Sequence, residues 1–233
     1  MYRYLITILA SLFIVSNVCA DGIRPQTHLY AVKEADSLYL DHYIAPVEGK
    51  RPCMMFVFGG GFVGGQRDNK LYSRYFQFLT EQGFDVISID YRLGLKNLGK
   101  NAAGSSIRDM IGVINNAINI AVEDLFSATL YVIDNAERWQ IDTDNIVTSG
   151  SSAGAITVLQ AEQNICNRTA RAAVLPAGFN YAGVISFAGA IFSTNGNPEW
   201  NNQPAPIMMF HGSADRQVPY EKATMLRVGF FGS

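Results

Sequence analysis

Cysteine and charge are both scarce in this sequence, and it has no run of basic residues. Of its three cysteines, Cys19 lies within the first twenty residues, which leaves Cys53 and Cys166. Two thiols allow at most one bridge and cannot form a disulfide framework. Cys53 starts an apolar run and Cys166 closes a helical stretch, so both are expected to be unpaired and buried. Charged residues make up 16% of the chain, the formal net charge is −2, and no Lys/Arg cluster forms a basic stripe. A nucleic-acid partner is therefore excluded. Internal repeats and low-complexity tracts are also missing.

At 233 residues and 48% hydrophobic composition the chain can bury one sizeable core. Residues 1–20 carry Arg3, an apolar segment from Leu5 to Val15, and Val18-Cys19-Ala20 before Asp21. That is the layout of a cleaved secretory signal, and the apolar segment is too short to span a bilayer. A lipid anchor on Cys19 is disfavoured because Val18 stands where a small residue is wanted. The expectation is a signal peptide over 1–20 and one domain over 21–233, secreted or periplasmic, with net charge −3 and no stable membrane insertion after signal removal. Asn167-Arg168-Thr169 is a glycosylation sequon, relevant only in a eukaryotic host.

Two alternating stretches, His28–Val32 and Leu38–Ile44, flank Glu34–Ser37 and predict a β-hairpin with His28 and His42 on its solvent face. Cys53–Phe58 is a continuous apolar run of strand length, as expected for a strand buried on both faces. A glycine turn, Gly59–Gly65, follows it. Next come a helix over Lys70–Gln82 burying Leu71, Tyr75, Phe78 and Leu79, and a second buried strand, Val86–Ile89. Strand, turn, helix, strand is a βαβ unit and implies a parallel sheet. A loop to about Ser105 precedes a helical pattern over Ile107–Trp139. Its 33 residues exceed the usual helix length and predict two helices with a bend near Glu123-Asp124. Strands at Asn145–Thr148, Val184–Phe187 and Ile207–Phe210 complete five parallel strands, the last two also buried, and an amphipathic segment closes the chain over Tyr220–Phe231.

Between Ile146-Val147 and the helix that ends near Ile165 lies Thr148–Ala155, built almost wholly of small residues. Gly150-x-Ser152-x-Gly154 matches a nucleophile elbow, in which a serine sits on a strained strand-to-helix turn and needs small neighbours for backbone clearance. Ser152 is the candidate nucleophile. In a chain with 21 glycines such a pentad also arises by chance, so the context has to decide.

The glycine turn has two readings. Gly59-x-Gly61-x-x-Gly64 fits a dinucleotide fingerprint, with Asp90 as ribose acid and an oxidoreductase as the implied function. Against it, residues 66–69 separate the glycines from the helix N-terminus that a pyrophosphate would use. In the second reading the freed backbone N–H groups form an oxyanion hole for acyl transfer, which also gives Ser152 a role.

Four motifs together resemble the α/β-hydrolase esterase/lipase group, in its hormone-sensitive-lipase-like and carbohydrate-esterase-like branches. They are Phe58-Gly59-Gly60-Gly61-Phe62, Asp90-Tyr91-Arg92-Leu93, Gly150-Ser151-Ser152-Ala153-Gly154, and His211-Gly212-Ser213-Ala214-Asp215 with Val218-Pro219. The resemblance implies an α/β-hydrolase fold, a mostly parallel central sheet with an N-terminal hairpin and helices on both faces. It implies Ser152 as nucleophile, Asp215 as triad acid, and the N–H groups of Gly60, Gly61 and Ala153 as oxyanion donors. Phe58 replaces the family's histidine, which should alter packing more than chemistry, and His211 matches a position that is usually structural.

In that fold the base is a histidine beyond the acid, and none follows Asp215. The expectation is a domain lacking the final strand and helix, from a C-terminally truncated fragment or interrupted reading frame, and crippled as it stands. The implied reaction is hydrolysis of small acyl or aryl esters, acetyl or feruloyl groups on carbohydrate among them, with no metal or organic cofactor needed. Leu95, Leu98, Met110 and Ile111 either line the pocket or cover the core. A non-catalytic hydrolase-fold binding protein is the alternative that the missing histidine leaves open.

Overall fold

The computed structural model describes residues 24–97, 106–225 and 228–232. The expected signal segment and Leu98 lie outside them. A seven-stranded sheet carries the molecule, built from β1 (Gln26–Lys33), β2 (Asp36–Tyr43), β3 (Arg51–Val57), β4 (Asp85–Ile89), β5 (Ile141–Ser151), β6 (Gly183–Phe187) and β8 (Ile207–Phe210). Its order is β1-β2-β4-β3-β5-β6-β8. The hairpin β1–β2 joins antiparallel to β4, and the five strands β4, β3, β5, β6 and β8 run parallel, as expected. A small sheet, β7 (Ile191–Ser193), β10 (Val228–Phe231) and β9 (Lys222–Met225), takes up the closing segment.

The helices α1 (Ser73–Glu81), α2 (Ile107–Trp139) and α3 (Ala153–Cys166) cover the two faces of the sheet. Alternation in β3 sorts them. Phe56 packs on Tyr72, Tyr75 and Phe76 at the α1 face, whereas Met55 Sδ accepts from Thr129 of α2 on the other. The helices bury one continuous core that includes Cys53, and Cys53 and Cys166 are both free and buried.

Four expectations need correction. His42 is buried and bonded to Asp85, and His28 is half-buried against Trp139, so neither faces solvent. Because β2 becomes an interior strand once it pairs with β4, its face carrying Leu38, Leu40 and His42 is enclosed. On α1 the buried residues are Phe76, Leu79 and Thr80, while Leu71 is 85% exposed and Phe78 56%. A 3-10 turn over Lys70–Tyr72 shifts the phase of the helix and turns Leu71 outward. The long pattern is one helix of 33 residues with no break at Glu123-Asp124. Asp124 points inward to Arg92, with Nη2 to Oδ1 at 2.9 Å, so its charge marks a buried pair rather than a bend. Finally, β8 is an edge strand, with Met208 and Phe210 more than half exposed instead of buried.

Candidate active site

The carboxyl end of β5 runs directly into the elbow. Ser152 stands between β5 and α3 at φ 51°, ψ −117°, a left-handed backbone strained for a residue with a side chain. Its N–H donates to Phe187 O at 2.8 Å and its carbonyl accepts from Ile156 N at 2.9 Å, which clamps the turn to β6 and to the first turn of α3. The neighbouring glycines are obligatory on spatial grounds. A Cβ at Gly154 would overlap the Val57 carbonyl, and one at Gly150 the Gly154 carbonyl. Ser152 is half-buried, and among the described residues its hydroxyl has no hydrogen-bond partner.

The glycine turn lies directly against this elbow. A Cβ built on Gly59 would stand 2.7 Å from Ser151 O and 3.2 Å from Ser152 Cβ. The loop is tied down on three sides: Gly59 N donates to Tyr72 Oη, Tyr91 Oη donates to Phe58 O at 2.9 Å, and Leu95 N donates to Phe62 O at 3.0 Å. Gly60 and Gly61 take positive φ, and among the described residues their N–H groups find no acceptor. Ala153 opens α3, where the first N–H groups of a helix have no intrahelical partner. Gly60 and Gly61, in the turn whose Gly59 packs on the elbow, and Ala153, next to Ser152 in sequence, thus carry N–H groups without a partner among the described residues. Phe58, at the family's histidine position, packs on Tyr91 with ring centroids 4.5 Å apart.

Tyr72, Tyr91 and Leu95 anchor the turn, and of these three motif reading touches only Tyr91. The signal for Tyr91 was its place in Asp90-Tyr91-Arg92-Leu93. Asp90 itself pairs with Arg67 at 2.7 Å and accepts from Tyr39 N, so it is not held ready for a ribose. The helix after the turn begins only at Lys70, well past the glycines. Both features disfavour the dinucleotide reading.

Asp215 lies five residues beyond β8. Its Oδ1 accepts from Gln217 N at 2.8 Å and Val218 N at 3.1 Å, and these bonds hold its carboxyl below the usual carboxylate range. The buried His211 ring packs beneath, with Nε2 3.1 Å from Val218 O and 3.6 Å from Asp215 Oδ2. It braces the acid's loop. None of the three histidines is hydrogen-bonded to Ser152 among the described residues: His42 is committed to Asp85, His28 to the Trp139 ring and His211 to the Asp215 loop. Leu95 belongs to the core, and Met110 is 41% exposed. Ile111 lines an apolar cavity of about 180 Å³ with Ile114, Phe192, Val228 and Phe230. Among the described residues no His, Cys, Asp or Glu group could hold a metal ion, and no helix is long and apolar enough to cross a membrane.

Comparison with known proteins bears on the family and the fold. The BD-FAE family model matches residues 40–190. Gut esterase 1 of Caenorhabditis briggsae is 33% identical over 146 residues, 62% of this chain and 24% of its own length. Acetylcholinesterase of Gallus gallus is 33% identical over 124 residues, 53% of this chain and 15% of its own. The chain thus spans a quarter or less of these relatives. Among solved structures, Thermogutta terrifontis esterase 2 phosphoramylated by tabun superposes with TM-score 0.64 at 20% identity, covering 86% of this chain and 75% of that one. The chain belongs to the BD-FAE family and has the α/β-hydrolase fold of the esterase/lipase group.

Proposed function

We propose that this protein is a serine carboxylic ester hydrolase that works through an acyl-enzyme on Ser152. The observation that carries the reading is the strained Ser152 turn set against the anchored Gly59–Gly61 loop. Ser152 Oγ attacks the ester carbonyl and its proton passes to a base. The oxygen that gains charge meets the N–H groups of Gly60, Gly61 and Ala153, donors each worth on the order of 3 kcal/mol in such sites. Collapse expels the alcohol, and water then releases the acid. The chemistry calls for no metal or organic cofactor. Asp215, kept ionised by Gln217 N and Val218 N, is the residue that would orient a histidine base. With no histidine at Ser152, the 233-residue chain turns over several orders of magnitude more slowly than a complete triad.

As substrates we propose small acyl or aryl esters, including acetyl and feruloyl groups on carbohydrate; family membership and the esterase relatives support the class, and the carbohydrate link rests on analogy. A panel of 4-nitrophenyl acetate, 4-nitrophenyl octanoate, methyl ferulate and acetylated xylan tests this. We expect slow hydrolysis of the acetyl and feruloyl esters that Ser152→Ala removes; hydrolysis unchanged by that substitution would sink the proposal. We also propose export, on the strength of the Arg3, Leu5–Val15 and Ala20-Asp21 layout. Protein recovered from the medium or periplasm should start at Asp21, whereas cytoplasmic protein retaining Met1 would refute it.

A further inference from the structure

The glycine turn carries one apolar side chain that neither the core nor the anchoring of the loop uses. Val63 is 51% exposed, whereas Phe62 before it is 4% exposed and packs on Tyr91 with ring centroids 6.2 Å apart. At Phe62 the backbone is left-handed, φ 60°, a conformation strained for a residue with a side chain, and Val63 is left on the outside of the turn. Strain of this kind persists only where the surroundings hold it.

Here they do. Phe62 O accepts from Leu95 N at 3.0 Å, Val63 N donates to Gly60 O at 3.1 Å, and Gly64 N donates to the same oxygen at 3.2 Å. The two limbs of the loop close on each other, since a Cβ at Gly60 would overlap Gly64 O and one at Gly65 would overlap Gly59 O. Val63 therefore stands in a fixed turn and not in an open loop. Its Cγ2 lies 3.9 Å from where a Cβ on Gly61 would be, and Gly61 itself is exposed.

We propose that Val63 is a specificity-determining residue of the ester site, touching the apolar chain attached to the carbonyl whose oxygen Gly61 N–H receives. This role rests on Gly60 and Gly61 acting as oxyanion donors for Ser152, and it adds to them the group that selects the substrate. A carbonyl bound at Gly61 N–H brings its acyl and alkoxy carbons to the side of that glycine, where the Val63 methyl groups are. There the two methyls bury apolar surface of the chain and keep water away from the donors. Both effects favour a longer or larger apolar group over the smallest ester, and a hydroxyl in the same place supplies neither.

Ratios of kcat/KM within each variant read this role, because they do not depend on the fraction of folded protein or on the slow absolute rate. Octanoate against acetate, as 4-nitrophenyl esters, varies the acyl side; 1-naphthyl acetate against 4-nitrophenyl acetate varies the alcohol side. The rate of Ser152→Ala is subtracted throughout. Val63→Ala and Val63→Thr should lower at least one ratio by about threefold or more, Val63→Ile should preserve it, and far-UV circular dichroism should stay unchanged in all three. Threonine keeps the branching and the volume, so its effect reports the apolar contact and not a disturbed turn. Neither ratio moving in Val63→Ala and Val63→Thr overturns the proposal. So does an equal shift in Leu71→Ala, which removes the 85% exposed side chain of the following 3-10 turn, because the effect would then belong to surface hydrophobicity in general. The absence of any Ser152-dependent rate in the unsubstituted protein would instead overturn the ester-hydrolase reading, and Val63's role with it.

Discussion

One methyl group at Gly154 is enough to disturb the elbow. The Cβ of alanine there would overlap the Val57 carbonyl, which belongs to the central sheet and cannot move aside cheaply. We expect Gly154→Ala to lower unfolding free energy by about 2–3 kcal/mol in urea titrations and to remove Ser152 reactivity as well. At this scale the elbow was legible, because strain and crowding restrict the residue types to a pattern that reads directly from the chain. His42 was misread for an equally physical reason. Period-two alternation says which residues share a face, not which face is covered, and His42 is in phase with the buried Leu38 and Leu40. That phase was the available signal. The anchors Tyr72 and Leu95 gave none, since they act through single hydrogen bonds made by long-range packing.

Among the elements, α2 depends on a charge inside its packed face. Asp124 is fully buried, and burial pushes its carboxyl above the ordinary value, with the bonds from Arg92 only partly offsetting this. Arg92→Leu would strand that carboxylate, and breaking such a pair costs about 3–5 kcal/mol. For an acid whose folded pKa is raised, the native state binds the extra proton, so the variant's stability should fall as pH rises through the carboxylate range. Replacing both residues with leucine should recover most of the loss, as differential scanning calorimetry across pH 4–8 would show. The predicted bend at Glu123-Asp124 rested on the length of the span, and the helix instead runs unbroken with Asp124 turned inward. Only the tertiary partner, Arg92, distinguishes a buried acid from an exposed one. The edge position of β8 was hidden for a related reason: an apolar run shows that a strand is hydrophobic, not how many neighbours it has.

For the whole molecule, the hairpin and the five parallel strands were readable, because a parallel sheet needs crossover helices and the chain alternates the two. The order of the strands and the buried Arg51–Asp85–His42 cluster were not, since both depend on contacts between residues far apart in the chain. Burial pushes the Asp85 carboxyl up, yet the bonds from His42, Arg51 and Ala45 N outweigh it and hold the group below its ordinary value of 3.8. The unfolded chain then binds more protons than the native one. Asp85's contribution is complete above the unfolded pKa and is lost as pH falls through the lower folded value. Asp85→Asn should flatten the acid limb of stability below about pH 4, at a cost in stability at neutral pH.

Labelling of the whole chain with a fluorophosphonate, followed by peptide mapping, tests the esterase assignment most directly because it requires one attack by Ser152 and no turnover. The account predicts a single modified peptide bearing the label on Ser152, formed slowly and absent from Ser152→Ala. A folded protein that takes up no label, or one labelled equally after that substitution, would contradict it.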